Sequence, residues 1–264
     1  MLPQILSLAH ELDFPQEMLN ELPRTWPLLN IEEIEPHIQD LTDKTKSNKA
    51  HEALAAIFTG NDDLGYKSLI CQLMAALRTR EIFAEQGISD DIFVATLKCL
   101  SRFSNEHLAS YDVYGFKHGW WSFRFLCGLI YRLGTLEFEI VSNGLSVHIP
   151  SDSILSAENL AASYAQAADF FPKLGVMYEQ IHCYTWLLHP TLQKILPPTS
   201  RILAFQKDYE IQEVLQDTDY MIFAYKKHYP DINSLPEKTS LQRELKKWLL
   251  AGGEMGSAHG IYKH

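Results

Sequence analysis

A histidine and two glutamates in the stretch TLEFEIVSNGLSVHIP could together carry out proton transfer. Apolar residues alternate with other residues on both sides of Asn143-Gly144, which predicts a β-hairpin with a type I′ turn at these two residues. Because a two-residue turn fixes the register, we expect Glu139 opposite His148, with Glu137 on the same polar face. A carboxylate beside an imidazole fixes the tautomer of the imidazole and raises the basicity of the ring, and a general base requires both. Alternatively, the residues form an exposed cross-strand pair worth about 0.2–1 kcal/mol.

A second candidate segment is IHCYTWLL, which begins at Ile181. Alternation along a strand places His182, Tyr184 and Trp186 on one face. An imidazole and a tyrosine hydroxyl there could act as proton acceptor and donor at a cleft, with the indole as a wall. Alternatively, a central strand buries both faces and these side chains only satisfy hydrogen bonds. Cys183 lies on the apolar side, where a reactive thiolate is not expected.

Several well-known catalytic and binding motifs are missing from the sequence. The histidines and cysteines do not form the close ligand pairs of zinc sites, so no metal site is predicted. Walker-type, Gly-x-Gly-x-x-Gly, Gly-x-Ser-x-Gly and His-Glu-x-x-His motifs are also missing. The sequence therefore gives no support to nucleotide hydrolysis, dinucleotide binding, serine hydrolysis or zinc proteolysis.

The elements that must position these residues change in type near Gly134. Before it, apolar residues recur at helical spacing: Asn61-Asp62-Asp63 predicts the start of a helix that runs to Gly87. Ser89 predicts the start of the next helix, and Trp120–Leu133 is also predicted to be helical.

Beyond Gly134 the pattern is mixed. After the hairpin, a helix is predicted from about Ser156 to Pro172. Three strand-like runs follow, at Ile181–Leu187, Arg201–Gln206 and Tyr220–Tyr225. Thr239 opens a capping box for a last helix, and the glycines from Gly252 to Gly260 are typical of a C-cap and turn.

Composition narrows the class of protein. The chain has 264 residues, 46% of them apolar, with a formal net charge of −10. This acidity argues against nucleic-acid partners, which are bound through clustered Lys and Arg. No signal peptide and no run of about 20 apolar residues is found, so we expect a soluble protein without membrane partners. Four widely spaced cysteines are typical of reduced thiols in the cytoplasm.

Most of Tyr131–Gly253 resembles a known family. The resemblance rests on the order of the segments YRLGTLEFEI, SVHIP, AADFF, HCYTWLLHPTLQKILPPTSRILAFQ and SLQRELKKWLLAGG. It is to a bacterial group of acyltransferase-domain proteins with a helical N-terminal domain and a GNAT-like C-terminal domain. The family's recurring motif positions then fall on Leu136 to Phe138, His148, Cys183, Trp186, Leu187, Leu188, Arg201 and Gln206.

The resemblance implies an α+β fold, with a helical domain over residues 1–130 and a mixed-sheet GNAT-like (acyl-CoA N-acyltransferase) domain over residues 131–264. It also implies acyl-CoA as co-substrate and a small-molecule amine as acceptor. Combined with the hairpin register and strand parity, it suggests His148 as base assisted by Glu139, and Tyr184 as acid. The predicted substrate-binding residues are Glu137, His182 and Trp186.

One motif of the family is missing from this sequence. GNAT enzymes hold the CoA pyrophosphate on an Arg/Gln-x-x-Gly-x-Gly/Ala loop that opens a helix, and no such loop is found. Two other functions therefore stay open. The domain could be a catalytically silent module that binds a small molecule or partner protein, or an enzyme of unrelated chemistry that uses His148 and Glu139.

Overall fold

Helices form the first part of the chain in the computed structural model, which describes residues 1–263. The chain divides into two units, Met1–Arg132 and a second that begins at Leu133. The helices of the first unit are α1 (Leu2–Glu11), α2 (Gln16–Thr25), α3 (Ile31–Asp40), α4 (Ser47–Phe58), α5 (Tyr66–Glu85), α6 (Asp90–Leu97), α7 (Cys99–Tyr111) and α8 (Phe123–Leu126).

The long helix α5 is the centre of the first unit. It packs against α1, α2, α3, α4, α6 and α8. The carboxylate of Asp62 accepts hydrogen bonds from the backbone N–H groups of Lys67 and Ser68 at 2.9 Å each. The predicted start of this helix is therefore confirmed, because Asp62 satisfies N–H groups that have no partner within the first turn.

The helix predicted for Trp120–Leu133 is wrong. Only α8 is helical there, after a 3-10 turn at Lys117–Trp121, and Ile130–Leu133 form strand β1. Gly128, with φ of +69°, interrupts the helix before the strand begins. The aromatic residues of this segment therefore belong to separate short elements.

A six-stranded mixed sheet has the order β1-β2-β3-β4-β6-β5. The neighbours β3 and β4 are parallel, whereas the β2–β3, β4–β6 and β5–β6 pairs are antiparallel. A helical N-terminal region followed by a mixed sheet confirms the predicted α+β class. The elements after β1 are β2 (Leu136–Val141), β3 (Gly144–His148), α9 (Ala157–Lys173), β4 (Ile181–Thr185), α10 (Leu192–Ile195), α11 (Arg201–Gln206), β5 (Tyr209–Val214), α12 (Asp219–Tyr225), α13 (Ser240–Leu250) and β6 (Ala258–Tyr262).

One face of the sheet is apolar and packs on α9. The ring of Phe138 lies edge-on to Tyr164 and Phe171 of this helix, with centroids 5.8 and 6.3 Å apart. The helix begins as predicted, because the hydroxyl of Ser156 accepts the backbone N–H of Asn159. Side chains of the other parity in each strand must therefore point to the opposite face.

The hairpin forms, but its predicted register is wrong by two residues. Glu139 lies opposite Ser146, and Glu137 lies opposite His148. Gly144 belongs to β3 and has φ of +150°. The position requires glycine, because a Cβ there would lie 2.2 Å from the carbonyl oxygen of Gln180. This glycine permits the close approach of the chain that enters β4, and the two turn residues are Ser142 and Asn143.

Two of the three runs predicted as strands after α9 are helices. Arg201–Gln206 forms α11, where the Ser200 hydroxyl accepts the N–H of Ile202. Asp219–Tyr225 forms α12. Strands β5 and β6 were not predicted, and the glycines expected only in a turn include one within β6. The predicted capping box at Thr239 is confirmed at the start of α13.

Candidate functional site

Side chains from four neighbouring strands share the face of the sheet opposite α9. Cross-strand partners lie on the same face, and the register pairs Glu137 with His148, Glu139 and His182 with Ser146, and Tyr184 with His259. We call this surface the polar face. Its members are Glu137, Glu139, Ser146, His148, His182, Tyr184 and His259.

The predicted carboxylate and imidazole pair exists on the polar face. Nε2 of His148 lies 2.8 Å from Oε2 of Glu139. The Glu139 side chain is 8% exposed and that of His148 is 29% exposed, so the pair is not the exposed surface pair considered above. The two residues are diagonal neighbours across β2 and β3, which still brings long side chains together.

This bond determines which nitrogen of His148 carries the hydrogen when the imidazole is neutral. A carboxylate only accepts, so Nε2 of His148 carries a hydrogen and donates it. The second nitrogen, Nδ1, is therefore the atom of His148 that can accept a further proton. Glu137, directly opposite His148, is 1% exposed and adds a second buried carboxyl group to the same face.

A second pair of titratable side chains lies on β4 and β6. Nδ1 of His182 is 3.0 Å from Nε2 of His259. The ring of Tyr184 lies almost parallel to that of His259, at a centroid distance of 4.1 Å and an angle of 5°. Burial lowers the pKa of His259, and His182 lowers it further by charge repulsion, while Glu213 opposes both.

Sequence reasoning missed His259. It lies in the segment AHGIY, whose glycine is typical of a turn, so the sequence does not predict β6. The only sequence signal was weak alternation around Ala258 and Gly260. The sequence shows no link to His182, which is 77 positions earlier along the chain.

The structure does not extend the predicted face to Trp186. Strand β4 ends at Thr185, and Trp186–Leu188 form a 3-10 turn in which the Thr185 hydroxyl accepts the N–H of Leu187. Strand parity therefore does not apply to Trp186, which is 7% exposed. In contrast, Cys183 lies on the α9 side as predicted, and burial raises the pKa of its thiol to about 12.

The parallel strands β3 and β4 form one edge of the candidate site. Their register contains three pairs and ends at Val147 and Cys183, although β3 continues to His148 and β4 to Thr185. Past that point the facing strand edges can offer backbone groups to an extended ligand, as a pantetheine arm requires.

The segment between β3 and α9 leads into a helix N-terminus, a type of site that can bind phosphate groups. It contains serines instead of glycines, and its hydroxyl groups are already engaged: Ser153 donates to Thr135 O and Ser156 caps α9. Asp152 and Glu158 add negative charge. The first turn of α9 can therefore supply backbone N–H groups, but these carboxylates oppose an anion.

A cleft of about 490 Å³ lies elsewhere in the second unit. Its lining residues are His189, Pro190, Thr191, Lys194, Val214, Gln216, Trp248, Glu254 and Met255. None of the six predicted site residues lines it.

Within residues 1–263, no group of three or more His, Cys, Asp or Glu could hold a metal ion. None of the described helices is long and apolar enough to cross a membrane.

Comparison with known proteins relates both parts of the chain to N-acyltransferases. Residues 130–262 match the family described as a GNAT-like C-terminal domain, and residues 3–128 match an N-acyltransferase N-terminal domain. No curated protein matches the sequence.

Solved structures of an acyltransferase are also similar to this chain. They include complexes with decanoyl-CoA and teicoplanin and with CoA and 10C-teicoplanin, at TM-scores of 0.81 and identities of 22% and 21%. A complex with decanoyl-CoA alone has a TM-score of 0.79 at 22% identity. Each similarity covers 97% of this chain and 86% of the solved chain, and at such identities it concerns the fold.

Proposed function

The chain belongs to the family with a GNAT-like C-terminal domain, and on this premise we propose that it transfers an acyl group from acyl-CoA to an amine. The matching N-acyltransferase domain over residues 3–128 supports the same reaction. The observation that carries the proposal is the 2.8 Å contact between His148 and Glu139, beside the point where the β3–β4 register ends. An acyl donor held along these strand edges would lie beside the proposed base.

The proposed reaction begins with proton removal from the acceptor amine. Nδ1 of His148 takes the proton, while Glu139 orients the ring and stabilises the imidazolium that forms. The amine nitrogen then attacks the thioester carbonyl carbon, and a C–N bond replaces the C–S bond. The acceptor binds as an ammonium ion, so the attacking nitrogen loses its second proton to solvent as the amide forms. Tyr184 protonates the leaving thiolate, and the proton held by His148 restores the tyrosine by way of solvent.

Binding is assigned to the other residues of the predicted site. Glu137 attracts the cationic form of the amine, and His182 accepts a hydrogen bond from it. Trp186 provides an apolar wall. The first turn of α9 contributes backbone N–H groups to the CoA phosphates.

The proposed setting is the bacterial cytoplasm, where acyl-CoA is made and thiols stay reduced. All four cysteines are buried thiols outside any disulfide, which agrees with such a compartment. The proposed acceptor is a small molecule, and neither nucleic acid nor membrane takes part.

A second candidate function is a module that kept the fold and binds a small molecule or a partner protein without catalysis. The observation that favours it is the segment before α9, where serines and Asp152 stand instead of a glycine-rich loop, and the first turn of α9 adds the carboxylate of Glu158. An acyl-CoA enzyme with this segment must hold its phosphates at the N-terminus of α9 without the help of such a loop. The module does not have to hold them at all.

The test is an acyl-transfer assay with purified protein, decanoyl-CoA and a panel of primary amines, in which mass spectrometry detects the amide and free CoA. We expect both products in equal amounts, and their loss in His148→Gln. Amide formation at the same rate in His148→Gln would remove the assigned base. No amide with any amine, together with no binding of acyl-CoA, would favour the silent module.

A further inference from the structure

One ring nitrogen of His182 is buried without a partner. The residue is 5% exposed, and no group of the described residues forms a hydrogen bond with its Nε2. Its other nitrogen, Nδ1, makes the 3.0 Å bond to His259. A buried polar atom without a partner is uncommon in folded proteins, so this atom requires an explanation.

The bond to His259 has two possible directions. In the first, Nδ1–H of His182 donates to Nε2 of His259, and Nε2 of His182 is an unprotonated acceptor. In the second, Nε2–H of His259 donates to Nδ1 of His182, and Nε2 of neutral His182 carries a hydrogen. The two directions leave different groups buried, either a lone pair or an N–H.

Burial decides between these directions. An N–H buried without an acceptor is rarer in proteins than an acceptor that lacks a donor. His259 is only half-buried, so water can satisfy its Nδ1 in either state. The first direction is therefore favoured, and it leaves Nε2 of His182 as a basic acceptor inside the polar face.

The surroundings of His259 hold its ring for this bond. The two imidazoles are inclined by 24° with centroids 5.2 Å apart, as expected for rings joined edge to edge. Tyr184 covers one side of the His259 ring at 4.1 Å. His259 is on β6, paired with both β4 and β5, so its backbone is fixed from two sides.

We propose that His259 is a positioning residue: it fixes the Nδ1–H tautomer of His182, so that Nε2 of His182 accepts an N–H of the acyl acceptor. The identity of that donor rests on the proposed acyl transfer, whereas the tautomer does not. An amine or amide nitrogen fits this atom, since it brings a hydrogen. A group that is only an acceptor does not fit.

The tautomer is tested without any substrate. Protein labelled with ¹⁵N-histidine is examined by two-bond ¹H–¹⁵N spectroscopy above the usual histidine pKa of about 6.5, where imidazoles are neutral. His182→Gln assigns the signal. We expect His182 to be protonated at Nδ1 in the unaltered protein and in His259→Gln, whose amide oxygen can accept, but to lose this preference in His259→Phe. Protonation at Nε2 in the unaltered protein would overturn the proposal.

The consequence for binding is tested by kinetics with decanoyl-CoA and benzylamine as probes. His259→Phe should raise KM for the amine about tenfold, equivalent to one lost hydrogen bond of about 1.4 kcal/mol, with the Kd of decanoyl-CoA unchanged. His259→Gln should recover most of this loss, and exposed His228→Gln serves as control. Equal KM values in all variants would overturn the role of His259. No turnover in any protein would instead refute the proposed acyl transfer, and the spectra would still decide the tautomer.

Discussion

Replacing Glu139 by glutamine keeps the shape of the side chain but removes the charge that faces His148. Hydrogen bonds to charged groups contribute about 1.5–3 kcal/mol, and bonds between neutral groups about half as much. The variant should therefore lose about 0.75–1.5 kcal/mol of the stabilisation that the imidazolium receives in the transition state. At about 1.4 kcal/mol per tenfold change in rate, kcat should fall about three- to twelvefold.

Removing the proposed base itself should lower the rate more than Glu139→Gln does. His148→Gln removes proton transfer, which typically contributes about 10²–10⁴-fold to a rate. In the proposed mechanism Glu139 affects the rate through the imidazole, so the double variant should be no slower than His148→Gln alone. The assay is amide formation from decanoyl-CoA, with exposed Glu179→Gln as the matched control. Losses that multiply in the double variant, or an unchanged rate in Glu139→Gln, would refute the reasoning.

Three other predictions concern stability and reactivity. Gly144→Ala should lower the free energy of unfolding by about 2–4 kcal/mol in urea, because it adds a clash with Gln180 to an unfavourable φ. Gly175→Ala, also at positive φ but with open space, should cost less, and equal losses would contradict the clash. Since burial lowers the pKa of His259, the folded protein binds fewer protons there than the unfolded chain, so stability should fall as the pH drops below about 6.5. His259→Gln should show a smaller drop in Tm on acidification, and an identical drop would refute this. The buried thiol of Cys183, whose pKa is raised to about 12, should resist alkylation in the folded protein, and rapid labelling would contradict this. Cys183→Ser should keep kcat, and lost turnover would contradict that expectation.

Strand alternation predicted the polar face better than it predicted contacts. The register error was two residues, and a shift of two keeps every side chain on its face. Glu137, Glu139 and His148 therefore share a face as predicted, and His148 still reaches Glu139 diagonally. The correct register depends on the approach of Gln180 to Gly144, a contact between distant parts of the chain that no local pattern shows.

The errors in secondary structure have a similar cause. Segments of six residues are too short for periodicity to separate a strand from a helix, and Arg201–Gln206, a strand-like run in the sequence, is a helix. Gln206 shows what the sequence could not: its side-chain amide donates to the carbonyl oxygens of Leu187 and His189, which supports the turn after β4. Gln206 is one of the family's recurring motif positions, but only the fold shows that its side chain has a structural role.

His259 is the clearest limit of sequence reasoning here. Its strand follows a glycine-rich segment and pairs with β4, whose residues are far away along the chain. The bond to His182 requires that pairing, so it could be found only once the sheet order was known.

The central claim is that this fold binds an acyl-CoA, and calorimetric titration with decanoyl-CoA and with free CoA tests it most directly. We expect saturable binding of decanoyl-CoA at micromolar Kd, weaker binding of CoA, and a higher Tm with the tighter ligand. If neither ligand releases heat nor raises Tm, the protein does not bind an acyl-CoA, and the account of the protein as an acyltransferase is contradicted.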